Sequence, residues 1–205
     1  MSQVDLYDNC CQIISLNGGE LLLIRQAFPP EVASRLFLQL REQAQWSQDC
    51  IVMGGRRVLI PRLQCWYGDA TYRYSGLSMT PLAWTPALLD IKQTVEALSE
   101  ARFNSVLLNL YRDGNDSVGW HSDDEPELGV SPVIASLSLG ASRGFSLRQK
   151  KPGTENMKVQ LSAGDLLLMS GRLQHNWQHQ LPKTQWSVGE RINLTFRLVV
   201  GQMLV

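Results

Sequence analysis

The second half of the chain carries a series of short strand-like segments, and we expect no helix after residue 101. Each segment is rich in Val, Ile, Leu, Phe or Tyr, and turn-forming Gly, Pro, Asn or Asp separates it from the next. The segments are residues 105–111, 133–139, 145–148, 158–161, 166–169 and 191–199. A series of short strands without intervening helices predicts a β-sandwich or jelly roll.

The first hundred residues predict two strands followed by two helices. Apolar clusters around residues 17–19 (NGG) predict a hairpin within residues 12–28. Pro30 opens a helix to about residue 45, and Thr85 caps a second that ends near residue 101. The buried stripe of this second helix is predicted to be Leu88, Leu89, Ile91, Val95 and Leu98. The predicted fold class is mainly β with flanking helices (α+β): a double-stranded β-helix, or jelly roll, with the N-terminal helices packed on one sheet.

Composition narrows the class of protein. Lys plus Arg equals Asp plus Glu at 19 each, so any contact with nucleic acid must come from a local patch of charge. The four cysteines have no CxxC spacing and favour reduced thiols over a zinc site or a disulfide framework. The first residues lack the pattern of a signal peptide, and no apolar run approaches the ~20 residues of a membrane span. These features predict a cytoplasmic protein without a membrane segment.

The three histidines of the chain fall within two short segments. His121 and Asp123 form a His-x-Asp pair, and His175 and His179 lie much further along. A His-x-Asp pair and a distant His are the ligands of the two-His-one-carboxylate site, which leaves positions on Fe(II) open. Either later histidine could complete it; we favour His179, which alternation places on the same side as Trp177. The alternative interpretation is a surface His and Asp without a metal.

Residues 191–197 (RINLTFR) alternate between polar and apolar side chains. On a strand the apolar residues 192, 194 and 196 face one way and the polar residues the other. An ordinary amphipathic strand with its polar face in water would show this pattern. A bound dicarboxylate explains two arginines on one face better, because the planar guanidinium matches a carboxylate. The polar residues are Arg191, Asn193, Thr195 and Arg197.

Four motifs together resemble the AlkB-type Fe(II)/2-oxoglutarate dioxygenases that repair alkylated nucleobases. They are residues 109–114 (NLYRDG), 121–125 (HSDDE), 134–140 (IASLSLG) and 191–197 (RINLTFR), in the order that this family has them. The resemblance covers roughly residues 50 to 200. Residues 67–69 (YGD) and 74–76 (YSG) are most similar to the branch of the human nuclear DNA-repair homologues.

The resemblance implies a metal and two cosubstrates. Fe(II) would be bound by His121, Asp123 and His179, with 2-oxoglutarate and O₂ at its open positions. Arg197 would contact the 1-carboxylate end of 2-oxoglutarate and Arg191 its distal carboxylate. The remaining residues of this pocket would be Asn109, Tyr111, Asn193 and Thr195. His175 would then be a solvent-side or supporting residue.

The resemblance also implies a substrate-binding region before the second helix. The target atom of a methylated base lies on its pairing edge, so the base must be flipped out or single-stranded. Within the aromatic segment 66–75, Tyr72, Tyr74 and Ser75 would bind the base. Asp124 and Glu125 would accept hydrogen bonds from its cationic form.

A predicted hairpin over residues 52–57 would supply the wedge that fills the gap left by a flipped base. The wedge residues are Met53, Gly54, Gly55 and Arg56, and a basic patch is predicted from Arg56, Arg57, Arg62, Arg143, Arg148, Lys150 and Lys151.

The implied activity is oxidative demethylation of alkylated DNA bases, 1-methyladenine and 3-methylcytosine with etheno adducts as further candidates, releasing formaldehyde, succinate and CO₂. The partner would be alkylated DNA, single- or double-stranded, and the chain would act as a monomer. One domain spans residues 1–205, with an N-terminal extension and nucleotide-recognition lid to about residue 100 and a jelly-roll catalytic core over about 101–200. Alternatives are the same chemistry on RNA, protein or a small molecule, and a non-catalytic jelly-roll binding module.

Overall fold

Two antiparallel sheets stack against each other, and two helices cover the outer face of the larger sheet. These features come from a computed structural model, which describes residues 10–53, 55–69, 72–74, 77–79, 81–151 and 156–200, the side chains of residues 51–53, 72–74 and 77–79 excepted. The arrangement confirms the predicted jelly roll with helices on one sheet.

The two long helices lie in the first hundred residues, as the sequence predicts, and the later part of the chain adds a 3₁₀ turn and one helix of four residues. The early elements are β1 (Cys11–Leu16), β2 (Gly19–Ile24), α1 (Pro30–Gln43), β3 (Cys50–Met53), β4 (Arg56–Leu59), β5 (Leu63–Gly68), β6 (Tyr72–Tyr74), β7 (Leu77–Met79) and α2 (Pro86–Ser99). The later elements are β8 (Ser105–Tyr111), β9 (Val118–His121), a 3₁₀ turn (Pro126–Leu128), β10 (Ile134–Gly140), β11 (Arg143–Gln149), β12 (Asn156–Leu161), β13 (Leu166–Gly171), α3 (Leu173–Asn176), β14 (Trp177–Leu181) and β15 (Arg191–Arg197).

The major sheet has seven strands in the order β1-β2-β13-β10-β15-β8-β5, and the minor sheet has four in the order β12-β11-β14-β9. Two small hairpins, β3-β4 and β6-β7, lie outside both sheets. Strands β1, β2 and β5 come from the first hundred residues and nevertheless belong to the major sheet, so this part of the chain completes the same sandwich as the rest.

Two apolar layers hold the three layers of structure together. The first apolar layer lies between the helices and the major sheet. It contains Leu36 of α1 and Ile91 of α2 together with Leu108 of β8 and Leu194 of β15. Between the sheets lies a second core, represented by Leu107, Ile134, Leu147, Leu161 and Trp177. The strict alternation along each strand sends neighbouring residues into different layers. Burying each such side chain contributes about 1.5–3 kcal/mol.

The predicted hairpin over residues 12–28, both helices and the six later strands are confirmed, with ends shifted by a few residues. Thr85 caps α2, because its Oγ1 accepts the Leu88 N–H. The predicted buried stripe of α2 is wrong at two positions. Leu89 is 48% exposed, since it lies about 100° around the helix from Leu88, and Leu98 in the last turn is 38% exposed. Glu96 is buried instead and accepts a hydrogen bond from the Phe103 N–H.

Five strands were not predicted, namely β5, β6, β7, β9 and β14, and neither was the 3₁₀ turn. The expectation of no helix after residue 101 is wrong at α3, which has four residues. In the part of the chain that the structure describes, no helix is long and apolar enough to cross a membrane. Strands β9 and β14 of the minor sheet, together with β8 and β15 of the major sheet, line one pocket between the sheets. This pocket contains the polar residues that the sequence motifs select.

Candidate active site

The strand pairing of the minor sheet brings two histidines together. His121, the last residue of β9, is the register partner of His179 on β14, and their ring centroids are 4.2 Å apart. Asp123 follows β9 and is buried beside them. One ligand atom from each of these three residues lies within 4.8 Å of the others, which is a geometry that could hold one metal ion. His175 lies on α3 instead, where it is exposed and its Nε2 contacts the carbonyl oxygen of Val130.

The protonation states of the three groups suit metal binding. Burial lowers the pKa of His121 and lowers the pKa of His179 to about 3, so both imidazoles are neutral near pH 7. The Gly119 carbonyl oxygen lies 2.8 Å from His121 Nδ1 and fixes the proton there, which directs the Nε2 lone pair towards a metal.

Asp123 is ionised, and one of its two carboxylate oxygens already accepts a hydrogen bond. Burial opposes its ionisation, but the charge and hydrogen bond of Arg197 outweigh that effect and lower the pKa of Asp123 to about 2. Arg197 Nη2 donates to Asp123 Oδ1 at 2.9 Å. Asp123 Oδ2 is buried and has no hydrogen-bond partner among the described residues. An orphaned carboxylate oxygen beside two neutral imidazoles fits a divalent metal ion.

The polar face of β15 lies in the pocket rather than in water. Arg191, Asn193, Thr195 and Arg197 are each no more than 8% exposed, so an amphipathic strand with its polar face in solvent is excluded. Asn193 Nδ2 donates to Ser136 Oγ at 2.8 Å and Thr195 Oγ1 donates to Asn193 Oδ1. From the adjacent β8, Asn109 and Tyr111 line the same pocket. Side chains predicted from two separate motifs therefore converge between the sheets.

Arg191 is a buried cation without an acidic partner in the described part of the chain. Its Nη2 donates to Ser138 Oγ at 2.9 Å, its guanidinium lies 5.4 Å from the centre of the Tyr111 ring, and its Nε has no partner. Burial lowers the pKa of Arg191 to about 10, because no carboxylate among the described residues lies close enough to offset the loss of hydration. A carboxylate of a bound ligand would supply the compensating negative charge.

Two members of the predicted basic patch are not on the surface. Arg62 is buried in the pocket, where its Nε donates to Asn109 Oδ1 at 2.7 Å. Arg143 is buried as well and donates to the carbonyl oxygens of Asp113, Asp116 and Pro182. Both predictions were wrong because exposed basic residues and buried arginines that bind backbone or amide oxygens look the same in sequence.

The other basic residues lie outside the pocket. Arg56 and Arg57 are exposed on β4, and Lys150 pairs with Asp124 at 2.7 Å. Arg148 stacks 4.3 Å from the centre of the Trp120 ring and binds Gln178 Oε1. The remaining patch is therefore smaller than predicted.

The substrate residues are described less fully. The β3-β4 hairpin confirms the predicted turn at residues 52–57, and Gly55 at its tip has φ +76°, a conformation that glycine adopts easily. Met53, Tyr72 and Tyr74 lie on β3 and β6, whose backbone alone is described, while Gly54 and Ser75 fall outside the described residues. Glu125 is half-buried and lies two residues after Asp123 in the sequence. Trp66 and Tyr67 are core residues, so they do not form part of an aromatic wall.

Sequence reasoning missed four polar residues around the pocket. Ser136 and Ser138 alternate along β10 and accept hydrogen bonds from β15, which the spacing of two could have indicated. Arg62 gave no signal that would separate it from a surface residue. Gln174 accepts the Asp123 N–H through its Oε1 at 3.0 Å and is likewise unmarked by any motif.

Comparisons with known proteins identify the family of this chain. Residues 20–197 match the family described as the 2OG-Fe(II) oxygenase superfamily. The alpha-ketoglutarate-dependent dioxygenase alkB homolog 3 of Bos taurus is 45% identical over 176 residues, which is 82% of this chain and 62% of that protein. The DNA oxidative demethylase ALKBH2 of Mus musculus is 36% identical over 180 residues, 82% of this chain and 75% of that protein.

The fold has a counterpart among solved structures. The structure titled "The structure of OsALKBH1" superimposes with a TM-score of 0.63, covers 91% of this chain and all of that one, and is 18% identical. That likeness concerns the fold alone. This chain spans about three fifths of the length of the alkB homolog 3 proteins that it matches.

The family match and the site geometry imply the same metal and cosubstrates, Fe(II), 2-oxoglutarate and O₂. The match extends over most of the chain and includes every residue of the pocket. The chain belongs to the 2OG-Fe(II) oxygenase superfamily, and within it to the AlkB-type oxygenases related to the DNA-repair homologues.

Proposed function

We propose that this protein is an Fe(II)- and 2-oxoglutarate-dependent demethylase that repairs alkylated bases in DNA. The observation that carries the proposal is the pocket between the sheets. It holds the His121, Asp123 and His179 cluster together with Arg191, a buried guanidinium that lacks an acidic partner among the described residues. A metal ligand set and an unmatched cation in one pocket fit a metal-chelating dicarboxylate. The names of the relatives, which include DNA oxidative demethylase, support DNA as the substrate.

Each polar residue of the pocket then has a role that its contacts allow. His121, Asp123 and His179 would hold Fe(II), and Arg191 would pair with the distal carboxylate of 2-oxoglutarate. Arg197 would orient Asp123 and contact the 1-carboxylate end. Asn109, Tyr111, Asn193 and Thr195 would complete the cosubstrate pocket, with Arg62 fixing the amide of Asn109. When bound, the iron and 2-oxoglutarate supply the activation of O₂ that oxidises the methyl carbon.

Release of the methyl group follows from simple chemistry. Oxidation of a methyl on a ring nitrogen gives a hydroxymethyl group, which leaves as formaldehyde, while 2-oxoglutarate becomes succinate and CO₂. The proposed substrates are 1-methyladenine and 3-methylcytosine, with etheno adducts as further candidates. Both methylated bases are cations. The half-buried carboxylate of Glu125 would therefore favour them over the unmodified bases. The carboxylate of Asp124 would do the same if its ion pair with Lys150 opened.

The base would enter from the side of the two small hairpins. Tyr72, Tyr74 and Ser75 would stack on and bind the flipped base, as aromatic residues do for unstacked bases. Met53, Gly54, Gly55 and Arg56 would occupy the position of the wedge, and Met53 is smaller than an aromatic residue at this place would be. The wedge is therefore not expected to give a strong preference for duplex DNA, and single-stranded and duplex DNA are both proposed as substrates. RNA, a protein side chain or a small molecule are the alternative substrates.

The organisation of the chain is part of the same proposal. Residues to about 100 would form the N-terminal extension and nucleotide-recognition lid, and residues 101–200 the catalytic core of a single domain, acting as a monomer. The β3-β4 and β6-β7 hairpins, which stand apart from both sheets, are the segments that this division assigns to the lid.

The test uses anaerobically loaded Fe(II) protein with 2-oxoglutarate, O₂ and matched single- and double-stranded oligonucleotides that each carry one 1-methyladenine. Restored adenine and formaldehyde, both dependent on iron and 2-oxoglutarate, are the expected products. His179→Ala should abolish them, and His175→Ala, the matched control, should not. Steady succinate formation without repair of DNA would redirect the search to RNA or protein, and full activity of His179→Ala would overturn the ligand set.

A further inference from the structure

The segment that carries Asp123 has no regular structure of its own, although its geometry must be fixed for metal binding. Strand β9 ends at His121, and the next regular element is the 3₁₀ turn at Pro126–Leu128. The segment 122–124 is held instead by contacts with α3 and the start of β14, which lie more than 50 residues further along the chain. Its position therefore depends on a distant part of the sequence.

Three separate contacts join these two segments. Gln174 Oε1 accepts the Asp123 N–H at 3.0 Å, and Ser122 Oγ donates to the Trp177 carbonyl oxygen at 2.8 Å. Lys150 Nζ bridges them by donating to Asp124 Oδ2 at 2.7 Å and to the Gln174 carbonyl oxygen at 2.9 Å. Of these contacts, the Gln174 side chain alone reaches the residue that is a candidate metal ligand.

Gln174 is well placed to determine the orientation of Asp123. It is 1% exposed, and its Nε2 lies 3.6 Å from the sulfur of Met169, which lines the pocket. The amide orientation is fixed, because the Asp123 N–H needs an acceptor and the opposite orientation would set two donors against each other. Removing the oxygen would leave the buried Asp123 N–H unsatisfied and allow the segment to move.

We infer that Gln174 is a positioning residue for the metal site. By holding the Asp123 backbone, it keeps Oδ1 on Arg197 and leaves Oδ2, which has no hydrogen-bond partner among the described residues, free to bind a metal. Outer residues of this kind typically change metal affinity by about 10–100-fold when they are removed. The inference rests on the proposed ligand set and not on the identity of the substrate.

The test measures metal affinity and coordination without turnover. Metal-free protein is titrated with Co(II) under anaerobic conditions, and the visible absorption of Co(II) reports both binding and ligand geometry. Gln174→Leu should bind Co(II) about 10–100-fold more weakly and with an altered spectrum.

Two further variants keep the outcome interpretable. Asn176→Ala on the same turn removes a contact with the Asn17 carbonyl oxygen that does not involve residues 122–124, and it should bind Co(II) as the wild type does. Gln174→Asn shortens the side chain by one methylene, which moves the amide oxygen away from the Asp123 N–H but keeps a polar group. It replaces Gln174→Leu in the titration if that variant fails to fold.

The outcomes separate the inference from the proposed function. Suppose that His179→Ala weakens Co(II) binding, which confirms the ligand set. A folded Gln174→Leu or Gln174→Asn protein with the affinity and spectrum of the wild type would then overturn the positioning role of Gln174. Equal binding by wild type and His179→Ala would instead refute the proposed ligand set.

Discussion

Arg197 Nη2 and Asp123 Oδ1 form a 2.9 Å ion pair in which both side chains are at least 97% buried. A buried ion pair contributes little net stability, but breaking it leaves one charge unpaired at a cost of about 3–5 kcal/mol. The pair therefore couples the stability of the protein to its metal site, because the carboxylate is also the candidate anionic ligand of the metal.

Replacing Arg197 should show this cost. Arg197→Met is expected to lower the free energy of unfolding of the metal-free protein by about 3–5 kcal/mol, measured by urea unfolding in EDTA. Adding Asp123→Asn should recover part of the loss, since the double variant has no unpaired charge. Arg41→Met breaks an exposed pair with Glu190 and should cost about 0–1 kcal/mol. If the changes in the free energy of unfolding of the two single variants add up to that of the double variant, the two side chains are not coupled.

Arg191→Met should have opposite effects on stability and on cosubstrate binding. Without 2-oxoglutarate it removes a buried cation that has no acidic partner among the described residues, so the melting temperature is expected to rise or stay unchanged. The KM for 2-oxoglutarate should rise about 10–100-fold, because a charge-assisted contact worth about 1.5–3 kcal/mol is lost. Ser138→Ala, which removes the hydroxyl that accepts from Arg191, should raise KM less. An unchanged KM in Arg191→Met would contradict the assignment.

Arg62 and Arg57 should differ in the kind of binding that they affect. Arg62→Ala is expected to impair 2-oxoglutarate binding, since it frees the Asn109 amide, and to leave the salt dependence of DNA binding unchanged. Arg57→Ala on the exposed β4 is expected to reduce the slope of log affinity against log salt concentration by up to about one. Oligonucleotide binding at several salt concentrations, together with KM for 2-oxoglutarate, distinguishes the two. If Arg62→Ala changed the slope of log affinity against log salt concentration, Arg62 would contact DNA, which would contradict its assignment to the pocket.

Glu96 should make the fold sensitive to acid. Burial alone would raise the pKa of its carboxyl, but hydrogen bonds from the Phe103 N–H, Lys92 and Arg102 outweigh burial and lower that pKa. A carboxyl with a lowered pKa stabilises the fold above its unfolded pKa, and this contribution disappears as the pH falls through the folded pKa.

The Glu96→Gln variant should therefore be less stable than wild type at pH 7 and approach it as the pH falls below about 4. Urea unfolding at a series of pH values measures this convergence. Glu42→Gln, at an exposed position of α1, serves as the control and should follow wild type throughout. A constant difference between wild type and Glu96→Gln at every pH would contradict the predicted role.

The sequence predicted the parts of the molecule whose signals are local. Thr85 marks the start of α2 by capping it with its side chain, and Pro30 marks the start of α1 because its fixed φ suits the first helical position. The alternation in residues 191–197 predicted which side chains of β15 face the pocket. The signals were absent where long-range pairing decides the structure. Strand β9 has four residues and extends only because it pairs with β14, and Arg62 is buried only because β5 and β8 are neighbours. No local pattern records such neighbours.

The position of β9 at the edge of the minor sheet has a consequence for the metal-free chain. One side of β9 pairs with β14, while its other side has no strand partner among the residues that the structure describes. Unpaired strand edges are templates for association between chains, and a strand of four residues opens easily. A bound ion that joins His121 and Asp123 to His179 would fasten this edge to its neighbour. Iron limitation would then expose the chain to aggregation and proteolysis as well as to loss of chemistry.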